Sequence, residues 1–102
     1  SGAKYVNPDK GFESYFLEFH SGARLELMCQ SEIPDSRNDP GRQFTGLIHL
    51  AFSTGAAEKV DALTDRLGRD GYEIIDGPRC TGDGYYESVV LDPDGNRIEF
   101  SV

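Results

Sequence analysis

The sequence predicts an α+β fold built from two related β-α-β-β-β modules, the first of which lacks its opening strand and helix. The main observation is an internal repeat: the pattern Gly-x-Arg-apolar-Glu-apolar occurs as GARLEL at 22–27 and as GNRIEF at 95–100. Glu26 and Glu99 therefore occupy equivalent positions, 73 residues apart. The second observation is one segment with helical periodicity, 56–69, among segments that alternate like strands.

Each copy of the repeat predicts a β-hairpin with a Glu on its second strand. The similarity extends upstream, because FESYFLEF at 12–19 matches YESVVLDP at 86–93 with an offset of 74. A turn that differs by one residue would restore the offset of 73. The second turn is DPDGN, in which proline pre-sets φ and glycine or asparagine supplies a left-handed residue.

The second module contains the elements that the first one lacks. Residues 47–53 alternate and are rich in β-formers, so they predict a strand. Residues 56–69 predict a helix with one apolar stripe, formed by Ala56, Val60, Leu63 and Leu67. Gly71 is suited to cap that helix. Residues 72–75 predict a short strand, and residues 80–84 predict a loop before the closing hairpin.

We interpret residues 1–102 as a single domain. Residues 1–29 are the remainder of module one, residues 30–46 are a polar connection, and residues 47–102 are module two. A mobile linker is the simplest interpretation of the connection, with a flap over a substrate as the alternative. The equivalent of His49 would fall before the start of the chain, so we expect roughly 25–30 residues of module one to be missing there.

The composition limits the kinds of partner. The formal net charge is −8 and the ten basic residues are scattered, which disfavours nucleic acid binding. No apolar segment approaches the ~18–20 residues of a membrane span. The two cysteines, Cys29 and Cys80, form no C-x-x-C motif and are interpreted as free thiols in a reducing compartment. We therefore expect a cytoplasmic protein that acts on a small molecule.

Three titratable side chains lie on the non-core faces of their predicted strands, because side chains alternate along a strand. His49 alternates with apolar Ile48 and Leu50. Glu26 and Glu99 each lie between two apolar residues. Each residue alone is explained by a solvated sheet face, but two halves that pack around one cleft would bring the three together. An imidazole and two carboxylates suit a divalent cation, with Zn, Ni, Mn, Co and Fe as the alternatives.

These motifs together resemble a known family. GLIHLAF, the helix that follows it, TGDGYYESVVLDPDGNRIEF and SGARLELM are similar to segments of the vicinal oxygen chelate superfamily, which has the glyoxalase and bleomycin-resistance fold. The resemblance covers nearly the whole chain, and it is strongest to the lactoylglutathione-lyase-like bacterial group. It is not specific for one reaction.

The resemblance implies paired modules around a divalent metal ion. Carried over by position, Glu26 matches the terminal ligand of module one, while His49 and Glu99 match the opening and terminal ligands of module two. A fourth ligand would lie on the opening strand of module one. The implied function is that of a metal-dependent lyase or isomerase, in which Glu99 moves a proton of a small oxygenated substrate. That substrate can carry glutathione or another thiol.

Two alternatives stay open on the sequence alone. The same cleft could belong to a non-catalytic, ligand-sequestering protein of the bleomycin-resistance type, which would need no metal. The chain as given could also be inactive, because its site is incomplete. A strand edge left exposed in module one favours pairing of two chains, so a homodimer is expected.

Overall fold

The computed structural model describes residues 4–37 and 39–102. Within them the chain forms seven strands and one α-helix, with a short 3-10 helix at Pro8–Lys10. In chain order the elements are β1 (Lys4–Asn7), β2 (Phe12–Glu18), β3 (Arg24–Gln30), β4 (His49–Ser53), α1 (Ala57–Arg69), β5 (Ile74–Cys80), β6 (Tyr86–Leu91) and β7 (Arg97–Ser101). They group into two compact units, Ser1–Asp35 and Ser36–Val102.

The first unit is an antiparallel sheet in the order β1-β2-β3. Strand β2 pairs along its whole length with β3, from Phe12 opposite Gln30 to Glu18 opposite Arg24. Large apolar side chains are exposed on both faces of this sheet. They are Tyr5, Phe16 and Met28 on one face, and Val6, Tyr15 and Leu27 on the other.

The second unit combines helix α1 with a four-stranded sheet in the order β4-β7-β6-β5. Strands β4 and β7 are parallel, whereas the other neighbouring pairs are antiparallel. Val60 of α1 and Val90 of β6 are buried. The Thr64 hydroxyl donates to the Val60 carbonyl at 2.6 Å, and its oxygen accepts a hydrogen bond of 2.6 Å from Ser88. The core of this unit therefore lies between α1 and the centre of the sheet.

Helix α1 ends in a Schellman motif, in which two N–H groups beyond the helix bond back to its last turn. The Tyr72 N–H donates to the Leu67 carbonyl at 3.0 Å, and the Gly71 N–H donates to the Gly68 carbonyl at 3.1 Å. Gly71 has a φ of 96°, which favours a residue without a Cβ. The predicted helix at 56–69 and its glycine cap are both confirmed.

The internal repeat is present in the backbone, at a single offset. Glu26 is opposite Phe16, and Glu99 is opposite Val89. Both strands of the hairpin therefore repeat after 73 residues. The α+β fold of related modules that the sequence predicts is confirmed, with the second unit containing a strand and a helix that have no counterpart among the described residues of the first.

The predicted offset of 74 between the first strands of the two hairpins is wrong. The two turns, 19–23 and 92–96, have equal lengths and the same closing hydrogen bond of 2.9 Å between their end residues. No one-residue difference exists to compensate for an offset of 74. The position equivalent to Glu87 is consequently Ser14, although the sequence aligns Glu87 with Glu13.

Strand β5 is longer than the sequence predicts. The prediction is a short strand at 72–75, whereas the strand observed is Ile74–Cys80 and includes Gly77 and Pro78. Such residues weaken a strand interior, but β5 lies at the edge of the sheet, where proline is tolerated. The pairing of β5 with β6 also shifts register twice between Ile74 and Arg79.

Smaller differences occur at two other strands. Strand β4 begins at His49, two residues later than the predicted range of 47–53. Strand β1 is the first of the three strands that the incomplete first module retains, and its range is not predicted because four residues are too few to show periodicity.

Gly77 allows β5 to approach β6 closely. Its φ is 76°, and a Cβ built on it would lie 2.4 Å from the carbonyl oxygen of Glu87. The irregular pairing around Gly77 leaves Asp76 and Arg79 on the same face of the sheet as Glu87. The glycine therefore helps to determine which side chains share that face.

Replacing Gly77 by alanine should lower the free energy of unfolding by roughly 2 kcal/mol or more, because a left-handed φ and a steric overlap both become unfavourable. Urea denaturation measures the change. Gly82→Ala is the matched control, since no atom lies within 4 Å of a Cβ at that position, and its effect should stay within about 0.5 kcal/mol. If both variants lose the same free energy of unfolding, the backbone conformation and close contact at Gly77 do not explain why glycine is needed there.

Candidate functional site

One face of the sheet in the second unit packs on α1, and the other, which we call the open face, carries titratable residues. The parallel pairing of β4 with β7 aligns His49 with Arg97 and Ala51 with Glu99. The alternate residues of these strands lie on the helix side, since Phe100 is opposite Ser88, which bonds to α1. His49 and Glu99 therefore share the open face, as the alternation of the sequence predicts.

His49 and Glu99 are close to each other on this face. Their Nε2 and Oε2 atoms are 3.5 Å apart. The side chain of His49 is 45% exposed and that of Glu99 is 16% exposed. The carboxylate is thus largely shielded from water, whereas the imidazole is accessible from solvent. The structure brings these two of the three predicted site residues together.

Glu87 is a second carboxyl group beside Glu99, and it is not among the predicted site residues. The side chains of Glu87 and Glu99 are within hydrogen-bonding reach. That hydrogen bond, together with burial and the charge of Glu99, raises the pKa of Glu87, while the nearby Arg79 opposes the shift. Because a bond between two carboxyl groups needs a proton, Glu87 can donate a hydrogen bond to Glu99 when it is protonated.

A signal for Glu87 was present in the sequence. Glu87 and Val89 lie on either side of Ser88, which bonds to α1, so they are on the opposite face of β6. The two hairpin turns have equal lengths, which sets the register and places Val89 opposite Glu99. Glu87 is then diagonal to Glu99. The offset of 74 conceals this relation, because it makes Glu87 equivalent to Glu13.

Asp76 and Arg79 form an ion pair on the same face. The Arg79 Nε donates to Asp76 Oδ1 at 3.0 Å, and its Nη2 donates to Oδ2 at 2.9 Å. The hydrogen bond with Arg79 lowers the pKa of Asp76, and the pKa of Arg79 is raised by the same contact. Both side chains are exposed by about half, so the pair contributes little to stability. The guanidinium of Arg79 therefore already pairs with a carboxylate of this chain.

Glu26, the third predicted site residue, belongs to the first unit. It is exposed and lies on β3 opposite Phe16. On the same face Ser14 is 2% exposed, and its hydroxyl has no hydrogen-bond partner among the described residues. The convergence of Glu26 with His49 and Glu99 stays a prediction.

The chemistry of the His49–Glu99 pair is compatible with a divalent cation. Protein nitrogen and oxygen ligands lie at ~2.0–2.2 Å from a zinc ion, so two ligands of one tetrahedral cation are roughly 3.4 Å apart. The observed separation of 3.5 Å is close to this value. Among residues 4–37 and 39–102, no group of three or more His, Cys, Asp or Glu side chains is arranged to hold a metal ion. The pair would supply two ligands of such a cation.

Two further expectations from the composition are met within the described residues. Cys29 and Cys80 carry free, exposed thiols, which confirms that they are not paired. No helix in these parts of the chain is long and apolar enough to cross a lipid bilayer.

Comparison with known families agrees with the fold. The family model of the Glyoxalase/Bleomycin resistance protein/Dioxygenase superfamily matches residues 3–100. The chain belongs to this superfamily, which confirms the resemblance on which the sequence prediction rests.

Solved structures with a similar fold include three glyoxalase-type proteins. A glyoxalase family protein from Enterococcus faecalis is 27% identical, with a TM-score of 0.68, over 98% of this chain and 75% of that chain. A glyoxalase/dioxygenase from Nostoc punctiforme is 24% identical, with a TM-score of 0.70, over 89% of this chain and 59% of that chain. Glyoxalase I from Zea mays is 21% identical, with a TM-score of 0.75, over 98% of this chain and 34% of that chain. The similarities to the Nostoc punctiforme and Zea mays proteins show a shared fold and nothing more.

A similar protein from Bacillus subtilis (strain 168) is the uncharacterized protein YqjT. It is 32% identical over 76 residues, which cover 72% of this chain and 59% of YqjT. The chain thus spans less than two thirds of the length of YqjT and of the Nostoc protein.

The raised pKa of Glu87 predicts a pH-dependent effect of Glu87→Gln, measured on metal-free protein. A carboxyl group whose pKa is higher in the folded state binds more protons when folded, so its contribution to stability falls as pH rises above its unfolded pKa. The amide cannot ionise and still donates to Glu99. We expect Glu87→Gln to melt at a higher temperature than the wild type at pH 7, with a difference that shrinks toward pH 4.

Thermal unfolding followed by circular dichroism at several pH values measures this difference. Glu73→Gln is the control, because it removes an exposed carboxylate just before β5, and its effect should not vary with pH in the same way. A Glu87→Gln variant that is less stable than the wild type at pH 7, or whose effect grows on acidification, would contradict the shared proton.

Proposed function

We propose that this chain is part of a metal-dependent lyase or isomerase of the glyoxalase type, which transfers a proton within a small oxygenated substrate. The observation that supports the proposal is the approach of His49 Nε2 to Glu99 Oε2 at 3.5 Å, on the open face of a sheet from this superfamily. Because the chain covers 59% of YqjT, the proposal concerns the activity of the whole protein.

His49 and Glu99 are the residues that would hold the cation, with Glu26 as a third ligand. Glu26 is assigned because it is the equivalent of Glu99 in the repeat. Nitrogen and oxygen ligands of this kind suit Zn, Ni, Mn, Co or Fe. When bound, a divalent cation polarises the oxygens of the substrate and makes the neighbouring C–H group more acidic.

Glu99 has the role of the base. Its carboxylate removes the proton from the carbon next to the substrate carbonyl and returns it to the adjacent carbon. Its low exposure of 16% limits competition from water. When Glu87 is protonated, a hydrogen bond from it to Glu99 would restrain the rotation of the carboxylate. The substrate can carry glutathione or another thiol.

We also infer that the protein is a cytoplasmic homodimer. The free, exposed thiols of Cys29 and Cys80 suit a reducing compartment. Strand β5 is an edge of its sheet, and edge strands favour pairing with another chain. Sedimentation analysis over a range of concentrations tests the dimer, and a monomer at all of them would contradict it.

Metal binding tests the proposed site. We expect His49→Ala and Glu99→Ala each to lower the affinity for a divalent cation by more than about tenfold, because even an outer-shell partner of a ligand contributes this much. Equilibrium dialysis with elemental analysis, performed with each of the five metals, measures the affinity. Glu26→Ala tests the third ligand separately.

Asp65→Ala is the matched control, because Asp65 is an exposed carboxylate of α1 that pairs with Arg69. Its metal affinity should equal that of the wild type. Unchanged metal binding in Glu99→Ala would sink the proposal.

The role of Glu99 as the base is tested by activity of the whole protein on a hemithioacetal. Glu99→Gln keeps the shape of the side chain and removes its basicity, so we expect kcat to fall by about 10²–10⁴-fold. A kcat within about twofold of the wild type would assign the proton transfer to another group. Metal content measured on the same sample separates a lost base from a lost cation.

A further inference from the structure

Arg97 makes an unusual contact for an arginine in an acidic chain. Its Nε and Nη2 atoms donate to the carbonyl oxygen of Pro40 at 3.2 Å and 2.8 Å. The chain contains 18 acidic residues, yet both of these donors converge on one backbone carbonyl. Arg79, on the same sheet, instead pairs with the carboxylate of Asp76. Because Arg97 is half-buried, its charge-assisted bonds are partly shielded from water.

The segment that Arg97 holds is locally ordered. Residues 39–46, which we call the strap, contain no helix or strand. The Arg42 N–H donates to the Asp39 carbonyl at 3.1 Å, and the Gly41 N–H donates to the Asp39 side chain at 3.0 Å, so the start of the strap forms a turn. Strap residues, together with Ile48 and Arg97, surround a small cavity.

The strap leads directly to the candidate site. Arg97 is the first residue of β7 and is paired with His49, the first residue of β4. The chain therefore runs from the anchored carbonyl of Pro40 to His49 in nine residues. When Pro40 is restrained, the residues between it and β4 can adopt fewer conformations. Strand β4 is an edge strand, and β7 is its neighbour on one side.

We propose that Arg97 is a positioning residue that ties the strap to the start of β7 and thereby holds His49 in place beside Glu99. The side chain of Arg97 acts through the strap and through its pairing with His49, without touching the substrate. The purpose of this contact rests on the proposed function, since a fixed His49 matters only if His49 binds a ligand. The restraint itself does not depend on any bound metal.

Two measurements without metal test the restraint. The first is amide hydrogen exchange of residues 41–46, and the second is the rate at which diethylpyrocarbonate modifies His49, with His20 of the same molecule as the internal reference. We expect Arg97→Ala to accelerate both by about tenfold, because charge-assisted hydrogen bonds are lost. Arg97→Lys keeps one charged donor and should recover part of the difference.

Arg69→Ala is the control, because Arg69 is an exposed arginine of α1 with a partner in Asp65. It should leave both rates unchanged. If amide exchange of residues 41–46 is unchanged in Arg97→Ala, Arg97 does not restrain the strap. If amide exchange is faster but diethylpyrocarbonate modifies His49 at the wild-type rate, Arg97 does not position His49. A failure of metal binding in the wild type affects only the proposed function, so the two failures are distinguishable.

Discussion

The parallel pairing of β4 with β7 is the interaction on which the candidate site depends. It joins residues that are about half the chain apart and aligns Ala51 with Glu99, so that His49 and Glu99 approach each other. Parallel neighbours need a crossover connection, and α1 supplies it. The same helix covers the opposite face of the sheet through Val60 and Thr64. One element thus makes the strand pairing possible and also determines which face remains open.

The sequence was sufficient for the architecture and for the orientation of the principal side chains. The helix, its glycine cap and the two hairpins carry strong local signals, namely apolar periodicity and turn residues. The faces of His49 and Glu99 followed from alternation alone. The first and last residues of β5 do not follow from alternation, because they depend on its place at the edge of the sheet, where Gly77 and Pro78 are tolerated. Tertiary position overrode a local rule there.

The composition of the site was harder to derive from the sequence. Glu87 was missed because the matching letters Glu-Ser in the two hairpins suggest an offset of 74, while hydrogen bonding follows 73. A difference of one residue moves a side chain to the other face of a strand. The Arg97–Pro40 contact joins residues 57 apart with no repeat or motif to indicate it. Such contacts depend on the conformation of a loop, which local sequence patterns do not determine.

The exposed apolar side chains on both faces of the first unit's sheet affect the order in which parts of the chain unfold. In the second unit Val60 and Val90 are buried between α1 and the sheet, whereas Tyr15 and Leu27 in the first unit are 45% and 52% exposed. Hydrophobic stabilisation scales with the area removed from water, so a three-stranded sheet with large apolar side chains exposed on both faces gains less of it. Residues 4–35 should therefore open at lower denaturant concentrations than residues 39–102. An opening event would leave the His49–Glu99 pair on a folded scaffold while releasing the strand that carries Glu26.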